Sequence, residues 1–204
     1  MKVIGLTGGI ASGKNFVADI LRKNGAAIFD ADHEAHQLLK LNQTVKQDVQ
    51  KNFPQALINQ EINRRELGKI VFADDEKLKI LEKILHPRVK KKYQEFLDSA
   101  QKEGKEIVVL NIPLLLENNY NCDKIIAIVA PPSIRKRRFL ARARKHDPKN
   151  FQAEKKNLEN KFEQILLRQV SNKERKSQAD FVVNSGTSKS DVVKQIKKIE
   201  SLLR

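Results

Sequence analysis

The segment Gly8-Gly9-Ile10-Ala11-Ser12-Gly13-Lys14 constrains this chain more than any other, because of what stands on either side of it. Before it, Val3 to Leu6 is a short apolar run of strand character. After it, Val17, Ile20 and Leu21 fall at helical spacing, with Gly25 where a C-terminal cap belongs. A strand feeding a glycine-rich turn and then a helix sets main-chain N–H groups at the positive end of that helix, where they can converge on an anion. Glycines at 8, 9 and 13 let the backbone approach phosphate oxygens closely, and Lys14 adds a point charge suited to β and γ phosphates. The expected nucleotide-binding residues are therefore Gly8, Gly9, Ile10, Ala11, Ser12, Gly13 and Lys14, continuing into Asn15 and Phe16. Asn15 departs from the usual pattern, which has Ser or Thr there to meet magnesium through its hydroxyl. An amide oxygen also suits a hard cation, so Asn15 is the expected magnesium contact.

Four further runs, Ala26 to Phe29, Ile107 to Ile112, Ile125 to Val129 and Phe181 to Val183, are short and rich in β-branched residues. Continuous apolar runs separated by helical patterns indicate a parallel sheet covered on both faces. Between His33 and Gly104 no strand-like run occurs, and Leu67, Ile70 and Val71, then Leu78, Leu81 and Leu85, repeat at helical spacing. That stretch reads as an all-helical insertion, broken at Pro54, at Ala73 to Asp75 and at His86-Pro87, with Pro87 in the first turn of a new helix. Ser133 to Gln178 reads as a second helical excursion, rich in arginine.

The chain has 204 residues, enough for one sizeable core, and a formal charge of +15. Basic residues concentrate at Lys90 to Lys92, Arg135 to Lys145 and Lys173 to Lys176, with acidic residues among many of them. Aromatics make up 5% of the chain and do not interleave with a basic stripe, which disfavours a base-stacking nucleic-acid surface and leaves solvated helix faces and phosphate-bearing ligands. No apolar run is long enough for a membrane span, and the N-terminus lacks a signal pattern, so a cytoplasmic protein is expected. Cys122 is the only cysteine, which excludes an internal disulfide.

Asp30-Ala31-Asp32 closes the second strand-like run, at the sheet edge where open α/β folds bind ligands. If the strand continues through them, the two carboxylates point the same way, and one is placed to accept a hydroxyl proton or hold magnesium through water. The ordinary reading is a helix N-cap. With Gly5 to Lys14, Leu85-His86-Pro87 and Pro113-Leu114-Leu115-Leu116-Glu117 in this order and spacing, the chain resembles the dephospho-CoA kinase family. The likeness runs through Arg138, Arg142, Gln169 and Ala179-Asp180 to the strand ending in Asn184, nearly the whole length.

That resemblance implies a P-loop NTPase α/β three-layer fold with a five-stranded parallel sheet, a helical substrate-binding insertion and a helical lid. It implies a nucleotide core over residues 1–32 and 105–204, a lid at about 133–178 and a CoA-binding insertion at 33–104. The reaction implied is transfer from ATP, with Mg²⁺, to the ribose 3′-hydroxyl of dephospho-CoA. Asp32 then corresponds to the general base, Lys14 to the phosphate lysine and Arg142 to the lid arginine that meets ATP phosphates, with Arg138 one turn before it. Asn184 falls near the adenine, and Arg65, His86, Leu115 and Glu117 fall on the acceptor side. Arg65 reads equally as a surface charge, His86 as a helix-start residue and Asn184 as a turn residue before Gly186. Asn111 and Leu116 replace an aspartate and an aromatic frequent in the family, and Arg142 to Gln169 is longer than usual. A monomer without a membrane partner is expected. Two rivals remain, another small-molecule P-loop kinase and a non-catalytic nucleotide-dependent nucleic-acid binder.

Overall fold

The computed structural model describes residues 1–112, 115 and 120–203. The chain divides into two compact units, residues 29–103 and the remainder.

In the first unit, β1 (Lys2–Thr7) leads through the glycine-rich turn into α1 (Lys14–Lys23), and β2 (Ala27–Asp30) follows. The Schellman hydrogen bonds expected at Gly25 end α1, Ala26 N–H reaching Leu21 C=O and Gly25 N–H reaching Arg22 C=O. In the second unit, α2 (Ala31–Leu41) and α3 (Gln43–Asn52) are capped by Asp30 and Asn42, whose side chains accept from His33 N–H and Val45 N–H. A 3₁₀ turn at Pro54–Ala56 leads to β3 (Leu57–Ile58) and β4 (Glu61–Ile62), then α4 (Arg64–Phe72) and α5 (Asp75–Lys102). Their apolar faces bury Leu38, Val45, Val49, Phe53, Leu67 and Leu81, while Phe29 packs against Tyr93 and Phe96.

Three expectations need correction in this unit. It is not all helical, because β3 and β4 form an antiparallel hairpin turning at Asn59 and Gln60, with φ of 50° and 63°. Positive φ at both central residues is the turn whose twist matches paired strands. Pro87 does not start a helix but lies inside α5. Proline forfeits an N–H and crowds the preceding turn. Here the Arg88 side chain serves that turn, donating from Nη1 to Ile84 C=O at 2.6 Å and from Nη2 to Asp48 on α3 at 2.7 Å. Finally, the strand does not continue through Asp30-Ala31-Asp32. It stops at Asp30, and Asp32 lies in the first turn of α2, so the two carboxylates share no strand face.

Back in the first unit, β5 (Ile107–Asn111) and β6 (Lys124–Val129) precede α6 (Pro132–His146), α7 (Phe151–Arg168) and α8 (Asn172–Ser177). The unit ends with β7 (Phe181–Asn184) and α9 (Lys189–Leu203). The sheet runs β2-β5-β1-β6-β7, five strands, with β1 parallel to β5 and β6 and β6 parallel to β7. Ile4, Leu6, Val109, Ile126 and Ile128 of the sheet join Val17 and Leu21 of α1 and Val192 and Ile196 of α9 in one buried cluster. Continuous apolar strands are thus explained by helical cover, and the phosphate loop emerges from the central strand. Among the described residues no helix is long and apolar enough to cross a membrane.

Candidate active site

Gly13, the N-cap of α1, has φ 93°, a left-handed conformation that favours glycine, and Ala11 shares it at φ 55°. These two reversals fold the loop back over the start of α1, whose first-turn amides have no intrahelical acceptors. Not every loop amide serves this cradle. Ser12 N–H bonds to Gly9 C=O at 3.0 Å, and Ile10 N–H bonds to Gln169 Oε1 at 2.8 Å. The Ser12 hydroxyl is buried without a hydrogen-bond partner among the described residues, and it lies where a Cβ on Gly8 would stand. A buried, unsatisfied hydroxyl inside such a loop fits a phosphate oxygen as its missing partner.

Lys14 Nζ donates to Asn111 Oδ1 at 2.7 Å, and Asn111 Nδ2 donates to Asn15 Oδ1 at 3.4 Å. Asn111 ends β5 and is 2% exposed. The two unusual residues of the sequence are therefore neighbours, and they stand where related nucleotide loops use a hydroxyl and an aspartate to hold magnesium. Among the described residues no group of three His, Cys, Asp or Glu side chains gathers to hold a metal. Amide oxygens suit a hard cation, so the pair fits a magnesium ion carried in on phosphates once Asn111 Oδ1 turns from Lys14 and Asn15 Oδ1 from Asn111, but it brings no charge of its own.

Helix α6 presents its arginines to this loop. Arg138 Nη2 donates to Ser185 C=O at 2.6 Å, and its Nη1 to Ser12 C=O at 3.4 Å and Ser185 Oγ at 3.3 Å. In this structure Arg138 braces the loop against the end of β7. Arg142, four residues on, is exposed. Two further arginines, from basic runs that read as solvated, are buried here. Arg135 is 4% exposed and bonds to Ile10 and Gln169, and Arg175 is fully buried and donates to Thr7 Oγ1 at 2.5 Å. Burial, and then the Arg175 charge, pull the Arg135 guanidinium below its ordinary pKa. The one sequence signal for Arg135 is its spacing of three and seven residues from Arg138 and Arg142, which puts all three on one helix face.

Asn184 is exposed and its amide is occupied locally. Oδ1 accepts Gly186 N–H at 2.9 Å in the turn after β7, and its backbone is paired with Gln195. Leu115 is 2% exposed and stands where a Cβ on Gly5 would be, so its side chain packs the core. Pro113, Leu114, Leu116 and Glu117 lie outside the described residues. In the second unit Asp32, Arg65 and His86 are exposed, on α2, α4 and α5 respectively. His33, His36, Gln37, Lys40, Glu61 and Arg64 line a pocket of about 320 Å³ there. His36, bonded to Arg64, has its pKa lowered by burial first and by Arg64 next.

Residues 2–191 match the family model described as dephospho-CoA kinase. A protein of Bartonella quintana named dephospho-CoA kinase is 38% identical with all of both chains covered. One from a Wolbachia of Brugia malayi, with the same name, is 35% identical over 97% of this chain and 95% of its own. Among solved structures, a Thermus thermophilus protein superposes with a TM-score of 0.81 at 27% identity, covering 100% of this chain and 98% of that one. Dephospho-CoA kinase from Campylobacter jejuni superposes at 0.65 with 28% identity, covering 98% and 95%. A glycine loop closed by Lys14, an arginine-bearing α6 braced against it and a full-length match at this identity lead to one assignment: the chain belongs to the dephospho-CoA kinase family.

Proposed function

We infer that this chain transfers the γ-phosphoryl group of ATP to the ribose 3′-hydroxyl of dephospho-CoA, giving coenzyme A and ADP, the last step of coenzyme A synthesis. The observation that carries the reading is the loop from Gly8 to Lys14 at the end of the central strand, with its buried Ser12 hydroxyl that has no partner among the described residues. Phosphoryl transfer through a loose transition state asks a protein chiefly to align reactants and neutralise charge. Lys14 and the first-turn amides of α1 receive the β and γ phosphates, and Ser12 donates to a phosphate oxygen. Arg142, exposed on the face that carries Arg138, supplies charge to the transferring group. Asp32 accepts the proton of the 3′-hydroxyl as its oxygen bonds to the γ phosphorus and the bond to the β–γ bridging oxygen breaks. Arg65 and His86 take the acceptor's own phosphate groups. Asn184, near the adenine of ATP, offers backbone and turn atoms, its side-chain oxygen being engaged.

Asn15 and Asn111 would hold magnesium by their amide oxygens, and the ion would supply positive charge to offset that of the transferring phosphates. ATP as donor and a lone cysteine, Cys122, whose thiol is pushed up to about 11 by burial and Asp123, suit a cytoplasmic setting. Residues 133–178 serve as the lid and 33–104 as the CoA-binding insertion. The test is ADP release with ATP, Mg²⁺ and dephospho-CoA beside a panel of nucleoside monophosphates and sugars, with products identified by mass. Phosphorylation of dephospho-CoA alone is expected; transfer to another acceptor with dephospho-CoA untouched would overturn the reading.

A further inference from the structure

One residue of the phosphate loop, Ile10, is held on both of its peptide groups by the two ends of a helical hairpin. Ile10 donates its N–H to Gln169 Oε1 at 2.8 Å, and its C=O accepts from Arg135 Nε at 2.8 Å. Arg135 Nη2 also donates to that Gln169 oxygen, at 3.3 Å. Arg135 lies in the first turn of α6, and Gln169 is the C-terminal cap of α7. The guanidinium lies on Gly9 so closely that a Cβ there would stand 2.2 Å from Nη2 and 2.7 Å from Cζ.

The electrostatics of this arrangement are unusual for a purely structural residue. Arg135 is 4% exposed, and both of its acceptors, a carbonyl and an amide oxygen, are neutral. No carboxylate pairs with it among the described residues, and the charge that acts on it is the like charge of Arg175. A buried cation costs stability unless something of opposite sign offsets it. A bound polyphosphate is such an offset: it would stand across one layer of backbone from the guanidinium, with little water between to screen it.

We propose that Arg135 is a positioning residue for nucleotide phosphates, fixing Ile10 directly at its C=O and through Gln169 at its N–H, and supplying a buried positive charge that is matched only when a polyphosphate fills the loop. The proposal rests on reading the loop as the nucleotide site. It makes an inverted signature: neutralising Arg135 should weaken anion binding while leaving the ligand-free protein as stable as before, or more stable. A residue that merely packed the loop would do the opposite.

The experiment measures the Kd of wild type, Arg135→Met, Arg135→Gln and Arg135→Lys for inorganic tripolyphosphate and for ATP by calorimetry without magnesium, with unfolding midpoints of the ligand-free proteins. Expected for Met and Gln is roughly a tenfold weaker Kd for both ligands at an unlowered midpoint, with Lys recovering most of the affinity. KM for ATP should rise in the neutral variants while KM for dephospho-CoA holds. Unchanged Kd values with a lowered midpoint would overturn the proposal, as would equal affinities of the Lys and Gln variants, a comparison that stands even if the Met variant fails to fold. Wild type that binds neither ligand would sink the reading of the loop itself, a result distinct from failure of the Arg135 argument.

Discussion

The phosphate loop and the helical unit of residues 29–103 use their polar groups in opposite ways. Around the loop they are buried and interlocked: Gln169 and Arg135 hold Ile10, Arg138 and Ser185 hold Ser12 C=O, and Asn111 links Lys14 to Asn15. In the helical unit the core is apolar, and Asp32, Arg65 and His86 stand exposed on three different helices. The difference teaches where stability and chemistry are coupled. Loop substitutions should disturb fold and nucleotide together, because each group there has more than one duty; Arg135 is the exception, since its buried charge costs stability until a polyphosphate offsets it. Substitutions on the helical unit should change turnover or acceptor binding with the fold untouched, since exposed side chains contribute little to stability.

The sharpest test of that contrast is Asp32→Asn. Loss of the proton acceptor should lower kcat on the order of 10²- to 10³-fold, with ATP affinity and unfolding midpoint within error of wild type. Normal turnover would remove Asp32 from the role, and a lowered midpoint would break the contrast. Lys14→Ala should follow, with kcat/KM for ATP down roughly 100-fold and nucleotide binding weakened as well, because Lys14 acts on phosphates before and during transfer. Third comes Gly9→Ala. The added Cβ meets a guanidinium that is itself buried, so something must shift. A loss of about 1–3 kcal/mol in stability is expected by chemical denaturation, with ATP binding falling in the same variant. Intact stability there would show the loop to be looser than its hydrogen bonds imply.

How much of this the sequence discloses depends on whether the controlling interactions are local. The loop, its strand and α1 are legible because consecutive residues make them: Val3 to Leu6, the glycines and the Gly25 cap declare themselves within one short stretch. The β3–β4 hairpin is not, because two-residue strands carry no periodicity and Asn59-Gln60 lacks the glycine that usually marks such a turn. Pro87 reads as a helix start because nothing local shows that α5 runs through it, and the contact beside it, Arg88 to Asp48 on α3, spans 40 positions. Asp30 and Asp32 read as a strand pair because nothing local shows that the strand yields to the cap at Asp30. Arg135 and Arg175 hide in basic runs, since burial of a charge is decided by tertiary packing and composition points the other way. The departures at Asn15 and Asn111 are visible singly; that they touch is a fact of the fold.

That contact gives the fourth test. Asn111→Asp restores a carboxylate beside Asn15, so the Mg²⁺ concentration at half-saturation of ATP binding should fall about fivefold, as ligand charge strengthens hard-cation sites. Because Lys14 already bonds to position 111, the new carboxylate also competes with phosphate for Lys14, and magnesium-free ATP binding should weaken in the same variant. A change in neither quantity would mean that the amide pair lies outside the metal's reach.

The smallest effect is expected away from the loop, at Asp180, where β6 and β7 begin side by side. Its Oδ1 meets Lys124 Nζ and its Oδ2 accepts Ile125 N–H, each at 2.8 Å, while its own N–H bonds back to Ile125 C=O at 3.0 Å. The Lys124 hydrogen bond first, then that of Ile125, hold the Asp180 carboxyl below its ordinary pKa. A depressed folded-state value means that the stabilisation is present above the unfolded aspartate value, about 3.9, and is lost as pH falls through the lower folded one. With the side chain 35% exposed, Asp180→Asn should cost no more than about 1 kcal/mol at pH 7. The gap between wild type and variant should then close as denaturation is followed below about pH 4. Turnover should not change, because the latch ties strand beginnings and the loop lies at the far end of β1. A kinetic effect from this exposed, distant pair would contradict the idea that function and stability are joined only where polar groups are buried around the phosphate loop.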